Sequence, residues 1–431
     1  MIGTSSTTTA LPISFRRRFG VPRHAARCLV AACLALGPSA PARAQGGSGG
    51  QPATRAAQFR DEREAKRQAT HAYEPNALER GMRVAETRGI FAVAREGFYP
   101  KLGSLAVGSG FSFGVGFRDR DLLRHTGAAD VFGAMSTVGY VAAEGRVRFP
   151  SLLEGRLDVE GWAGRREYVR EYYFGLGPGS ARGDQADYAV RNTMAGGRAG
   201  VTLVPGLVAG GGLEYLTPRL GEGNDDGRPG VDQIFTPETA PGLDARADFL
   251  RTSAFAELDT RRPRYARSGG LYRLEFSRFD DRTGGSYGFD RTEVDLRHFV
   301  GFLGGRRVIG LRGFVSTSDP RGGGTIPFFL MPALGGNDSL RGFRNQRFRG
   351  PHALLLQAEY RWEIWSGLDG ALFYDAGKTP LERRDLDLHG LQSDYGFGFR
   401  VNTNNGVIFR VDAAFGSRDG RHLYLVWGGV F

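Results

Sequence analysis

Cysteine is nearly absent: Cys28 and Cys33 are the only two in 431 residues. Both lie among the first 44 residues, so a chain relieved of that stretch has no disulfide, no thiol nucleophile and no cysteine-bound metal. Histidine is scarce too, and its seven scattered copies give no zinc spacing. No uninterrupted apolar run reaches the ~18 residues of a spanning helix, and mean hydropathy is −0.31. Strands that are apolar on one face only escape that test. Acid is missing from one end: residues 1–44 hold six arginines and neither Asp nor Glu. Without them the net charge falls from +11 to +5, so the basic balance belongs in good part to that end and makes no case for nucleic acid. Glycine is what the chain has in quantity, 66 residues with no repeat. Barrel strands use it where neighbouring backbones and inserted loops come close.

The N-terminus reads as an export signal. Arg16, Arg17, Arg18, Arg23 and Arg27 precede the apolar run Cys28–Leu36, and Ala42-Arg43-Ala44 is a small-residue cleavage site. The mature chain is therefore expected to begin near Gln45. Residues 45–100 are expected to form a periplasmic linker with short helices. Gln45–Gly50 is Gly/Ser-rich and flexible, Ala56–Thr70 is a charged helix candidate, and Asn76 can cap another over Ala77–Thr87.

From Gly103 onward the rhythm is that of strands. Fourteen runs are legible, among them 128–149, 353–364, 368–377 and 421–431. Two further strands are expected in Phe98–Gly108 and within Asp130–Phe149. Every second connection is tight, as at Pro205-Gly206, Gly301–Gly305, Trp365–Gly367 and Thr403–Gly406, while Thr217–Asp248 and Ser318–His352 are long and polar. Short turns at one rim and long loops at the other are the pattern of outer-membrane barrels. The expected fold is all-β: a transmembrane antiparallel barrel of 16 strands (alternative 14) over residues 101–431, behind a short helical or flexible N-terminal segment.

One stretch, Gly335–Gly377, organises the rest. A Gly-rich loop carries Leu340, Arg341, Gly342 and Phe343, and two alternating strands follow it. The first puts Leu354, Leu356, Ala358, Tyr360, Trp362 and Ile364 on one face and Leu355, Gln357, Glu359, Arg361 and Glu363 on the other. A soluble core rejects four inward polar groups; a wet lumen with lipid outside accepts them. In the second strand Phe373, Asp375 and Gly377 face away from Leu372 and Tyr374. Glu359 and Asp375 are thus acids on one polar face, and a loop arginine folded inward reaches both with its planar fork.

L-R-G-F in a long loop, then A-E-Y, then F-x-D-x-G, resembles the BamA/TamA superfamily of outer-membrane barrels, also called bacterial surface antigens. The resemblance is clear from about Phe249 to Phe431 and fainter from Phe98 to Leu216. It implies that Arg341 is tucked into the lumen against Glu359 and Asp375, with Phe373 and Gly377 completing the strand motif. It implies a role in inserting proteins into the outer membrane or moving them across it. The last strand, with Leu423, Leu425, Trp427 and Phe431 on one face, resembles the C-terminal signal that such proteins present to the assembly machinery for their own insertion. Members that handle protein substrates carry docking (POTRA) domains, and roughly 54 residues without strand alternation cannot supply an array of them. The expected partners are outer-membrane lipid and lipopolysaccharide, that machinery, and a separate periplasmic protein supplying docking domains. The alternative function is a channel or structural surface antigen without assembly activity.

Catalytic signals are weak. Gly284-Gly285-Ser286-Tyr287-Gly288 spells a nucleophile elbow but sits between strands, where the elbow needs a strand before and a helix after. Ser286 with His298 is the one pair worth testing as a barrel phospholipase. Asn224, Asp225, Asp226 and Asp232 lack calcium-loop spacing and are expected to form a solvated tip. Arg400, Arg410 and Asp412 alternate inward, where paired charges are usual. No enzyme activity, cofactor or metal is expected.

Overall fold

Alternation builds one sheet here, in a computed structural model that describes residues 96–261, 267–365, 367–403 and 406–426. Its strands are β1 (Gly97–Gly103), β2 (Ser112–Asp121), β3 (Gly127–Ser136), β4 (Val141–Ser151), β5 (Leu157–Tyr173), β6 (Ala186–Val204), β7 (Leu207–Gly221), β8 (Phe249–Asp259), β9 (Gly269–Asp281), β10 (Phe289–Phe302) and β11 (Arg307–Pro320). After a small inserted hairpin, β12 (Ala333–Leu334) with β13 (Phe348–Arg349), come β14 (His352–Trp365), β15 (Leu368–Lys378), β16 (Gln392–Thr403), β17 (Gly406–Ser417) and β18 (Gly420–Val426). Each strand pairs antiparallel with its neighbour, and β11 pairs with β14 across the insertion, giving 16 strands in one sheet. Among the described residues no ladder joins β18 to β1. Val426 and Lys101 nonetheless line one cavity, so the sheet curls into a nearly closed barrel.

The count settles on 16 rather than 14, and both extra strands lie where they were expected. β1 occupies Gly97–Gly103, slightly ahead of the expected start at 101, and the single run over 128–149 is two strands, β3 and β4, turned at residues 137–140. The export signal, both cysteines, residues 45–95 with their helix candidates, and Trp427 and Phe431 lie outside the described residues.

The barrel is inverted relative to a soluble fold. Leu296, Leu311, Leu372, Phe397, Leu423 and Leu425 are exposed, while Glu160, Glu214, Glu257 and Glu275 are buried on the lumenal face. Arginines on neighbouring strands meet those acids along the lumenal wall: Arg251 binds both Glu214 and Glu275, and Arg146 and Arg198 converge on Glu160. On the outward face Phe302, Tyr360 and Trp362 stack in succession, between the short-turn rim and the middle of β14.

The long-loop rim is roofed. Phe328, Phe329, Ile326 and Met331 of the β11–β14 connection are buried with Tyr173, Tyr188, Phe249 and Phe289 of the strands and Val231 and Ala240 of the β7–β8 connection. Burying such side chains removes them from water at ~25 cal/mol per Å², which fastens the loops to the barrel mouth. Below the roof a cavity of about 860 Å³ remains between the inserted loop and the β1–β5 wall.

Candidate functional site

The connection from β11 to β14 does not stay on the rim. Its middle dives into the lumen, where the β12–β13 hairpin closes it on itself and leaves residues 335–347 as a tip. Leu340 and Phe343 pack with Leu334 and Phe348 of the loop and with Leu355 and Phe314 of the wall. The chain turns tightly between them, Phe343 N donating to Leu340 O at 3.1 Å and Gly336 N to Phe343 O at 3.1 Å. That turn aims the side chain between the two apolar anchors at the wall.

The side chain is Arg341, and it is fully buried. Nε and Nη2 donate to the two oxygens of Asp375 at 2.7 and 2.8 Å, and Nη1 donates to Glu359 Oε2 at 3.1 Å. The backbone N–H adds a 3.3 Å bond to Asp375 Oδ2. The guanidinium carbon lies 3.4 Å from the centroid of the Phe373 ring, so the cation is stacked as well as paired. Burial alone would lower the guanidinium pKa; Asp375 and Glu359 outweigh that effect and hold it above the ordinary arginine value. Gln357 fixes the acid from the other side, its Nε2 donating to Asp375 Oδ1 at 3.1 Å and to Ser339 O at 2.8 Å.

The structure thus brings Arg341 of the loop motif together with Glu359 and Asp375. Gly342 lies against β16: a Cβ there would stand 2.9 Å from Asp394 Cγ and closer still to Asp394 Cβ. Gly377 serves a different contact, since a Cβ on it would press on Leu334 of the loop hairpin. Gly342→Ala is expected to lower stability by about 1–3 kcal/mol, the usual cost of overpacking. A thermal unfolding midpoint equal to that of the unaltered protein would count against so tight a seat.

The site extends further than the motif. Arg400 donates to Glu359 Oε2 at 2.7 Å and to Asp412 Oδ1 at 2.6 Å, and Arg410 donates to Asp412 Oδ2 at 2.9 Å. Asp412 lies 3.8 Å from Arg341 Nη1. Arg410 returns to the loop through Asn337 O at 2.8 Å and Asp338 Oδ1 at 3.0 Å. Alternation had placed Arg400, Arg410 and Asp412 inward; it carried no sign that they complete the Arg341 cluster. Asp394 had no sequence signal at all. It sits directly across from Asp375 in the β15–β16 ladder, almost wholly buried and close against Gly342.

Beyond Arg341 the tip spans the lumen. Tyr424 Oη of β18 donates to Phe343 O at 3.2 Å, and Arg347 reaches Ser180 Oγ at 2.8 Å in the β5–β6 connection. Asn345 Nδ2 donates to Val107 O at 3.0 Å in the β1–β2 connection. One loop thus ties the last strands of the barrel to the first.

The other candidates disperse. Ser286 lies in the connection before β10 and His298 far along that strand, bonded through Nδ1 to Tyr272 Oη at 2.7 Å, so they form no catalytic pair. Asn224, Asp226 and Asp232 are exposed as a solvated tip would be, and Asp225 is half-buried, but two of the four also make bonds. Asn224 Nδ2 donates to Val138 O at 3.0 Å, and Asp225 accepts from Tyr172 Oη at 2.8 Å, so they fasten their loop to its neighbours.

No family model and no curated protein matches the sequence. Among solved structures the chain is similar to BamA from Haemophilus ducreyi lacking POTRA domains 1–3, at a TM-score of 0.56 and 14% identity over 85% of this chain and 81% of that one. It is also similar to CdiB from Escherichia coli, at a TM-score of 0.51 and 13% identity over 77% of this chain and 61% of that one. At these identities the likeness is one of fold: the protein is a 16-stranded β-barrel with the architecture of BamA and CdiB.

Proposed function

We propose that this protein is an outer-membrane barrel of the BamA/TamA type that takes part in inserting proteins into that membrane or translocating them across it. The observation that carries the reading is the latch: a long loop driven into the lumen and held to the wall by a buried, stacked Arg341 on Asp375 and Glu359. A barrel that only partitions lipid from water has no use for so costly a buried cluster, because desolvating each charge must be offset by its partners. A latched loop instead gives a mechanism. Closed, it occupies the lumen beside the remaining cavity and ties the first strands to the last; released, it frees both the passage and the strand edges. Residues 1–44 would direct export, the assembly machinery would insert the barrel, and a periplasmic partner would bring docking domains.

A second reading, a channel, is favoured by the cavity of about 860 Å³ lined by Lys101, Arg118, Arg146 and Arg166 alongside Asp130 and Glu144. The apolar roof opposes a standing open pore. The purified protein in phosphatidylcholine vesicles separates the two readings. Faster folding of an unfolded barrel client than in protein-free vesicles, with conductance low and intermittent, is the expected result. Steady conductance with no effect on client folding would establish the channel instead.

A further inference from the structure

Near the long-loop rim, outward-facing charge gathers on β5, β6 and β7. Register sets it in two rows, Arg165–Thr193–Thr217 and, one step nearer the rim, Glu167–Arg191–Arg219. Arg191 pairs with Glu167, and Arg219 Nη2 donates to Asp248 Oδ1 at 2.6 Å; both arginine side chains stay more than two-fifths exposed. Arg165 is exposed, with no hydrogen bond or ion pair among the described residues. Elsewhere on this rim Arg278 is neutralised by Asp290 at 2.9 Å. Three guanidinium groups therefore share two carboxylates on a face turned to the membrane.

Position decides what such a face meets. A spanning strand needs about 9–11 residues, and Arg165 stands about nine residues along β5 from the short turn, where hydrocarbon gives way to headgroups. An arginine there costs about 0–1 kcal/mol, against about 2–4 at the midplane. Beneath the rows the outward face is mostly small, with Ala163, Ala195, Ala199 and Ala254 exposed around Leu213, where the far wall presents Leu296, Leu311, Leu372 and Phe397. The result is a shallow trough capped by cations. Tyr215, exposed and bonded to Asp248 at 3.1 Å, marks its edge at the interface.

We propose that this face binds the phosphate groups of a phosphorylated outer-leaflet lipid, with acyl chains in the alanine trough and phosphate on Arg165, Arg191 and Arg219. Guanidinium matches phosphate with two parallel hydrogen bonds, and the exposed Thr193, directly beside Arg165 in its row, is a further donor. Arg191 and Arg219 are held in place by Glu167 and Asp248, while Arg165 has its whole fork to offer. The inference rests on the outer-membrane placement proposed above.

The test uses the full chain, folded in phosphatidylcholine vesicles containing a minor share of bisphosphorylated lipid A, then extracted in mild detergent and weighed with its retained lipid by native mass spectrometry. Each juxtamembrane arginine is worth about a fivefold change in affinity, so the triple variant Arg165→Gln/Arg191→Gln/Arg219→Gln should retain lipid A roughly a hundredfold more weakly. Dephosphorylated lipid A should be retained poorly by the unaltered protein, and millimolar inorganic phosphate should not displace the lipid. Heat-modifiable gel mobility reports folding separately, so a failure of the barrel to enter vesicles indicts the membrane placement and not this site. Should the triple variant fail to fold, Arg165→Gln, which breaks no bond, must still show the fivefold loss. Undiminished retention by either folded variant, equal retention of the dephosphorylated lipid, or displacement by inorganic phosphate overturns the proposal.

Discussion

Arg341→Ala should fold into the membrane and then unfold at a distinctly lower temperature than the unaltered barrel. The substitution removes three side-chain hydrogen bonds and a stacked cation from a place with no exposed surface. Asp375 is left fully buried, with Gln357 as its one close side-chain donor and Asp394 directly across the ladder. Asp375 then has no counter-charge and a second acid opposite it, whereas Glu359 keeps Arg400 and Asp412 keeps both Arg400 and Arg410. Breaking a buried pair from one side costs about 3–5 kcal/mol, less where water can enter. Arg341→Lys should recover only part of this, since a point charge cannot fork across Asp375 and Glu359 or stack on Phe373. Adding Asp375→Asn to Arg341→Ala should raise stability again, because the stranded acid is what costs most. The same variants should conduct more often as the loop swings free. Wild-type melting and conductance in Arg341→Ala would mean that the roof, not the arginine, pins the loop.

Much of this arrangement is visible in the letters, for a physical reason. A strand with lipid on one side and water on the other must alternate, so Leu356, Ala358 and Tyr360 separate from Gln357 and Glu359 without reference to anything distant. The latch was legible because its three parts lie within 43 consecutive residues, Gly335–Gly377, and carry a resemblance. What alternation cannot give is register. It assigns Arg400, Arg410 and Asp412 to the lumenal face, but their height against Glu359 follows from β14–β17 pairing, which no local pattern encodes. Asp394 illustrates the same limit, since its burial beside Asp375 follows from ladder position and the closeness of Gly342. The roof was hidden differently. Phe328, Phe329 and Met331 lie in a segment read as polar loop, and their burial depends on aromatic residues of β5, β6 and β10 far away in sequence. The merger of β3 and β4 into one run had a local cause: the turn at residues 137–140 is short enough to pass for continued alternation.

Leu372→Lys should impair assembly far more than a lysine placed in the lumen. Leu372 faces outward in the middle of β15, half exposed, flanked across the ladders by Tyr360 and Phe397. A lysine there must bury its ammonium in hydrocarbon or drag water to it, at about 2–4 kcal/mol near the midplane. The comparison demands a lumenal site with room and with no bond to lose. Gln357 is unsuitable, because it donates to Asp375 and Ser339 and accepts from Arg312, and its replacement would disturb the latch. Ala128 on β3 is better: it lines the cavity of about 860 Å³, together with Asp130 and Glu144 of the wall and Asp338 of the inserted loop. Ala128→Lys should reach water and an acid together, so its cost should stay within the ±0.5 kcal/mol or so of ordinary surface changes. Urea titration of folding into vesicles, read by heat-modifiable mobility, compares the two. A midpoint lowered clearly for Leu372→Lys and scarcely for Ala128→Lys is the expected pattern, because only one of the two lysines is denied water. Equal shifts would mean that β15 does not face lipid, and the inside-out assignment of every strand laddered to it would fall with it.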